Sequence, residues 1–292
     1  MKNFRDAIRQ KDFVVTAVLP LRSSSTLSEI EVSAEVLSPV VDALQIGDDP
    51  FVVGHMSTLA AASILLRKGI DAVVHISCRD RNRIALQADI RGAAVLGVTT
   101  LVLTRGEKLI DIPMRHAKGV FHIGETQLIK TAGQIGADVS LVSDPGFHIG
   151  SLVTVFKPAE DWEAGRIQEK VDVGVKFLQT QPCLNSKLLR IYMQKLVDRK
   201  ITHRASVMVE IPLLTSAKDA KAIKTIYRGA TIPDAMVKRI VQAPDPVAEG
   251  VSVCAEMIAD LRTIPGVSGV NLRHGKDPHT IVAAVRQAGL TS

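Results

Sequence analysis

Two glutamines alternate in "KFLQTQP" (176–182). In an extended segment Gln179 and Gln181 turn to the same side. A primary amide donates and accepts at once, which suits it to grip the edge of a polar ring; satisfying nearby backbone is the plainer use. Glu210 interrupts the apolar run "VMVEIP" (207–212). A carboxyl group in apolar surroundings is pushed toward its protonated form and can donate a proton, unless a neighbouring arginine or lysine pairs with it. In "HISCRDRNR" (75–83), His75 stands alone in an apolar run, and four charges fill five positions from Arg79 to Arg83. That cluster reads most simply as the solvated first turn of a helix. The eight histidines show no H-E-x-x-H spacing, so no metal centre is expected, and His116, His122, His274 and His279 read as loop residues. Cys78, Cys183 and Cys254 have no paired spacing and read as reduced thiols. No G-x-G-x-x-G follows a strand pattern.

These groups need a scaffold that brings them together. Short β-rich runs at 13–19, 40–47, 71–77, 99–104, 147–155, 176–182, 205–212 and 267–273 alternate with longer helical patterns. Most of the runs are apolar on both faces, as in a buried parallel sheet. Helical patterns cover 57–69, 160–174, 186–200, 246–264 and 277–289, the first opening on Ser57 as a cap and the second on a group of acids. Eight strands, each followed by helix, predict an α/β fold: a (β/α)8 TIM barrel forming one domain over 1–292. A doubly wound open sheet is the alternative. Barrel active sites are built at the C-terminal ends of the strands, where the 79–83 cluster falls. The irregular segment 105–124 reads as a long loop over the mouth.

The chain of 292 residues is 46% hydrophobic and 23% charged, as in soluble globular proteins. Only 3% is aromatic, so aliphatic side chains must fill the core, and stacking surfaces for nucleic acid are scarce. The net charge of +6 is spread along the chain, which argues against a nucleic-acid partner and suits an anionic small substrate. No segment approaches a membrane span, and "MKNFRDAIRQKDF" lacks the apolar stretch of a signal peptide. A cytoplasmic protein with no membrane partner is expected.

Three stretches carry a family likeness: "HISCRDRNRIALQADIRGAAVLGV" (75–98), "LVLTRGE" (101–107) and "KVDVGVKFLQTQP" (170–182). Their order and spacing resemble the methylenetetrahydrofolate reductase family, across almost the whole chain. The resemblance implies a TIM barrel with FAD at its mouth, NADH or NADPH as hydride donor and a folate substrate. It implies reduction of 5,10-methylenetetrahydrofolate to 5-methyltetrahydrofolate. His75, Arg105, Gly106, Phe121 and Lys170 match positions that contact flavin in the family. Gln181 matches a folate-binding glutamine, with Gln179 beside it, and Glu107 stands where the family has an aspartate near pterin and flavin.

The chain departs from that pattern at chemically important places. A family glutamate at the end of strand 1 protonates the leaving nitrogen; here the aligned residue is Val18, or Ala17 or Leu19 on shifting by one. Valine cannot transfer a proton, and Glu210 is the carboxylate that could compensate. Ala217 falls about where some relatives have a stacking phenylalanine, and "GSLVTVFKP" (150–158) lacks the family's flavin-loop tyrosines. Two functions therefore stand open: a flavin-dependent reductase with altered acid chemistry, or a divergent paralogue. The paralogue would bind folate or flavin as a subunit of a one-carbon complex, or act without flavin. A homo-oligomer or a partner subunit fits either.

Overall fold

The computed structural model describes residues 3–48, 54–107, 118–138, 140, 146–273, 275 and 277–290. Eight strands form a closed parallel barrel in chain order: β1 (Val14–Val18), β2 (Ala43–Ile46), β3 (Ala72–Ser77), β4 (Thr100–Thr104), β5 (His148–Val153), β6 (Phe177–Thr180), β7 (Ser206–Pro212) and β8 (Val267–Arg273). β8 pairs with β1 in register Thr16↔Asn271, closing the ring. The helices are α1 (Phe4–Gln10), α2 (Leu27–Leu37), α3 (Thr58–Arg67), α4 (Arg83–Leu96), α5 (Glu125–Gly136), α6 (Gly165–Asp172), α7 (Ser186–Asp198), α8 (Ala217–Ile226), α9 (Asp234–Gln242), α10 (Pro246–Leu261) and α11 (His279–Gln287). The TIM barrel expectation holds, and all eight expected strands are present. No helix among the described residues is long and apolar enough to cross a membrane.

Strand alternation divides the side chains into two sets. Outward residues such as Leu44, Ile46, Val74, Ile76, Leu101 and Leu103 join the large apolar layer under the helices. Inward residues at the N-terminal end form a second, smaller cluster: Val14, Ala43, Val73, Val102, Phe177 and Met208, sealed from below by Phe4 and Ala7 of α1. The Phe4 N–H donates to Asp71 Oδ2 at 2.7 Å, fastening α1 to the start of β3. Phe177 lies 4.9 Å from the Phe4 ring and stacks on His148 at 5.4 Å. Gly150 makes room for it, since a Cβ there would come within 2.2 Å of the Phe177 ring.

Higher in the barrel the inward face is polar, which corrects the reading of strands apolar on both faces. Thr16, Gln45, Gln179 and Asn271 are completely buried. Three local expectations also change. Ser57 precedes α3 without making a side-chain cap bond. The acids at 160–163 lie ahead of α6, because Ala164 adopts a left-handed conformation and the helix starts at Gly165. His279 opens α11 rather than lying in a loop, and His122 lies in one and accepts from the Arg83 N–H. His116 and His274 lie outside the described residues, as do positions 108–117 of the segment expected to cover the mouth.

Candidate functional site

A circuit of hydrogen bonds crosses the upper barrel. Glu210 on β7 is its acceptor. Its Oε2 takes N–H groups from Gln179 Nε2 at 3.3 Å and Asn271 Nδ2 at 3.2 Å, and its Oε1 takes Arg273 Nε at 2.7 Å. Gln45 on β2 is its source, donating from Nε2 to Gln179 Oε1 at 2.7 Å and to Thr16 Oγ1 at 3.0 Å. Thr16 donates on to Asn271 Oδ1 at 3.0 Å. His75 on β3 meets the remaining Gln45 oxygen, with Nε2 to Oε1 at 2.9 Å. Burial, helped by the Arg273 charge and opposed by Asp48, pulls the His75 pKa down to about 3, so the ring is neutral.

Asp48, just beyond β2, organises the rim. It accepts from Ser77 Oγ at 2.7 Å and Arg81 at 2.9 Å, and lies 3.6 Å from the Arg79 guanidinium. Burial alone would raise its carboxyl, but bonds from His55, Arg81 and Ser77 outweigh burial and hold it well below the usual carboxylate range. Arg79 is 5% exposed and grips Asp80; Arg81 also pairs with Asp89 at 2.8 Å. The 79–83 cluster is therefore an ion-pair seam joining the tips of β2 and β3, not a solvated helix turn. Only Arg83 begins the helix, capped by Asn82.

Above the circuit opens a cavity of about 430 Å³, lined by His75, Arg105, Gly106, Glu107, Lys170, Gln181 and Glu210, among others. Glu107 accepts from Gln181 Nε2 at 3.1 Å, while Gln181 Oε1 is buried without a partner among the described residues. Gly106 has φ +81, and a Cβ there would lie 2.9 Å from Arg79 Cβ, so only glycine fits between the strand tips. Lys170 donates to Glu125, Ser151 and the Leu152 carbonyl at 2.8–3.0 Å, which uses all three ammonium protons inside the protein. Among the described residues no cluster of acids, histidines and cysteines could hold a metal ion.

The structure places two of the expected contact residues away from the cavity wall formed by the described residues. Gln179 is completely buried in the circuit beneath the cavity, because its amide is spent on Gln45 and Glu210. Phe121 packs on the apolar layer, with its ring under the Arg105 guanidinium at 4.7 Å, and is absent from the cavity wall. Glu210 takes the ion-paired alternative, with Arg273 as its partner. Its two oxygens accept from three N–H donors, so most of its acceptor capacity is spent inside the protein. Gln45, Asn271, Arg273, Asp48 and Tyr227 went unnoticed in the sequence. The Tyr227 ring lies 5.2 Å under the Arg273 guanidinium and lines the cavity.

The family model for methylenetetrahydrofolate reductase matches residues 4–284. The chain belongs to the methylenetetrahydrofolate reductase family. Nothing matches among curated proteins. Among solved structures, an uncharacterized protein from Clostridium thermocellum that binds two copies of 5-methyl-5,6,7,8-tetrahydrofolic acid is 15% identical, with 97% of each chain covered and a TM-score of 0.69. Tryptophan synthase from M. tuberculosis is 12% identical, with 98% of this chain and 96% of that one covered and a TM-score of 0.53. At these identities the likeness is one of fold.

At β1, where the family resemblance implies a glutamate, this chain of the methylenetetrahydrofolate reductase family has Val18. Val18 is 3% exposed and follows Thr16 by two, so it shares the inward face. Ala17 and Leu19 belong to the outer apolar layer, so neither shift of alignment puts another side chain at that place. Ala217 is exposed at the start of α8 and does not line the cavity. Tyr227, further along the same connection, brings an aromatic ring to the cavity wall.

Proposed function

We propose that the protein is a folate-dependent one-carbon oxidoreductase that reduces 5,10-methylenetetrahydrofolate to 5-methyltetrahydrofolate, with NADH or NADPH as electron source. The observation that carries this reading is the convergence of His75, Glu107, Gln181 and Arg273 on one cavity in a member of this family. The folate bound by the Clostridium thermocellum protein agrees with it. A pterin edge carries both donors and acceptors, and Gln181, Glu107 and His75 offer both kinds. Reduction needs a proton on the nitrogen that leaves the methylene carbon and a hydride on that carbon. We assign the proton to Glu107, whose bond is to a neutral amide, since the Glu210 oxygens already face three donors.

The mouth fits a flavin dinucleotide in two respects. A second cavity of about 530 Å³, walled by Phe156, Trp162 and Tyr192, shares Arg166 and Lys170 with the first. Arg105 and Arg166 line the opening and could face a pyrophosphate. Bound there, FAD would supply the relay that takes a hydride from the nicotinamide and delivers it to the methylene carbon. Lys170 would act indirectly, holding Glu125 and the end of β5 in place. Direct transfer from nicotinamide without flavin is the second reading, favoured by Val18 and by the spent Lys170 ammonium.

The deciding experiment is an anaerobic assay of NADH oxidation, and separately of NADPH oxidation, with methylenetetrahydrofolate, with and without added FAD, on protein whose visible spectrum has been recorded. Yellow protein with turnover supports the flavin route. Colourless protein that turns over without FAD supports direct transfer. No turnover under either condition removes the reductase and leaves a folate-binding subunit. Cytoplasmic location and assembly with a second copy or a one-carbon partner subunit belong to the same proposal.

A further inference from the structure

The circuit beneath the cavity has a direction, and that direction reaches the ligand. Each amide in it could be turned end for end if considered alone. Together they allow one arrangement. The Glu210 carboxylate, paired with Arg273, can only accept, so Gln179 must present Nε2 to it and Oε1 to Gln45. Gln45 must then present Nε2 to Gln179, which turns its Oε1 to His75. The second route agrees. Asn271 presents Nδ2 to Glu210, its Oδ1 accepts from Thr16, and Thr16 Oγ1 accepts from Gln45. Both routes make Gln45 the donor, so His75 must donate from Nε2.

We propose that Glu210, acting through Gln179 and Gln45, locks His75 in its Nε2–H tautomer, so that Nδ1 faces the cavity as an acceptor for an N–H on the bound ring. Nδ1 makes no hydrogen bond among the described residues, and His75 lines the cavity. Burial keeps the ring neutral, so it carries one proton, and Gln45 holds that proton. His75 therefore cannot donate to an anionic ring nitrogen such as that of a reduced flavin. It selects the donor-bearing edge of a heterocycle, such as an amino-pyrimidinone edge with adjacent N–H groups. Toward His75 Nδ1, Gln179 acts through two side chains and Glu210 through three, so both are positioning residues for that nitrogen. The ligand half of this inference rests on the folate reading; the tautomer half does not.

The test is long-range ¹H–¹⁵N correlation on the full chain with ¹⁵N-labelled histidine, His75 being assigned by loss of its signals in His75→Gln. In ligand-free wild type the expected pattern is Nε2 protonated and Nδ1 bare; a protonated Nδ1 overturns the proposal. In the double variant Gln179→Leu/Asn271→Leu both routes from Glu210 are cut, and a mixture of tautomers is expected; an unchanged pattern in the folded double variant shows that the relay does not set it. If that variant does not fold, the wild-type spectrum still decides. Adding 5-methyltetrahydrofolate should move the Nδ1 resonance toward that of a hydrogen-bonded acceptor and leave Nε2 protonated. Binding by calorimetry without that shift overturns the acceptor role. No binding at all defeats the folate reading while leaving the tautomer result to stand on the ligand-free spectrum.

Discussion

The two ends of the barrel are built on opposite principles. The lower end is filled by Phe4, Val73, Val102, Phe177 and Met208, which need only volume and exclusion of water. The upper end is filled by Thr16, Gln45, Gln179, Glu210 and Asn271, which need each partner at the right distance and the right end of each amide. An apolar core of equal volume would be simpler to stabilise, since buried ion pairs rarely surpass well-packed hydrophobic side chains. The difference teaches where to look for function. The lower half resists unfolding, and the upper half orders donors and acceptors under a cavity.

Variants can break that contrast. Phe177→Ala below and Arg273→Met above should each cost about 3–5 kcal/mol in urea unfolding, the first through a cavity and the second by stranding the Glu210 charge. They should differ in rescue. Adding Glu210→Gln to Arg273→Met removes the stranded charge and should recover more than half of the loss; no polar change repairs Phe177→Ala. If the double variant is as unstable as the single, the charge pair is not what organises the upper end. Next in size, Glu107→Gln should lower reductase turnover roughly 10²–10⁴-fold with folate affinity by calorimetry nearly unchanged, whereas Phe177→Ala should leave turnover per folded molecule intact.

Each half also buries one histidine. Burial, aided by Arg9 and Arg5, brings His148 down to about 4, and His75 lies near 3. Unfolded, both take up a proton near 6.5. Between that value and the folded one the unfolded chain binds more protons, so stability is full above 6.5 and falls as the pH drops. The slope is up to about 1.4 kcal/mol per pH unit for each histidine. Urea midpoints should decline through this window, and His148→Asn should flatten the decline without touching folate binding. Smallest of all, Arg239→Ala, which breaks surface pairs with Glu249 and Glu256 far from both halves, should cost under about 1 kcal/mol.

The barrel was legible because its outer strand faces and helix stripes are periodic, and periodicity survives without knowledge of partners. The mouth was legible where motif and strand end coincide, as at His75, Glu107 and Gln181. The circuit was not. Gln45 and Asn271 each appear once in an apolar run, "ALQIG" and "GVNLR", and nothing local says that Thr16 meets Asn271 across 255 positions. Barrel closure makes that contact. The 79–83 cluster misled for the same reason, since its counter-charge, Asp48, is more than thirty residues upstream. Tyr227 lies between α8 and α9, where no periodic signal marks it.

The helix that seals the base has a kinetic consequence. Among the described residues Phe4 and Ala7 close the lower end of the barrel, so the cavity opens at the upper end. If the proposed reduction runs in this cavity, a reactant must back out before a bulky successor can take its place, so an excess of one reactant should slow the other by occupying the doorway. Inhibition by surplus folate, relieved by raising the nicotinamide concentration, is the signature such a dead-end vessel would leave in steady-state rates.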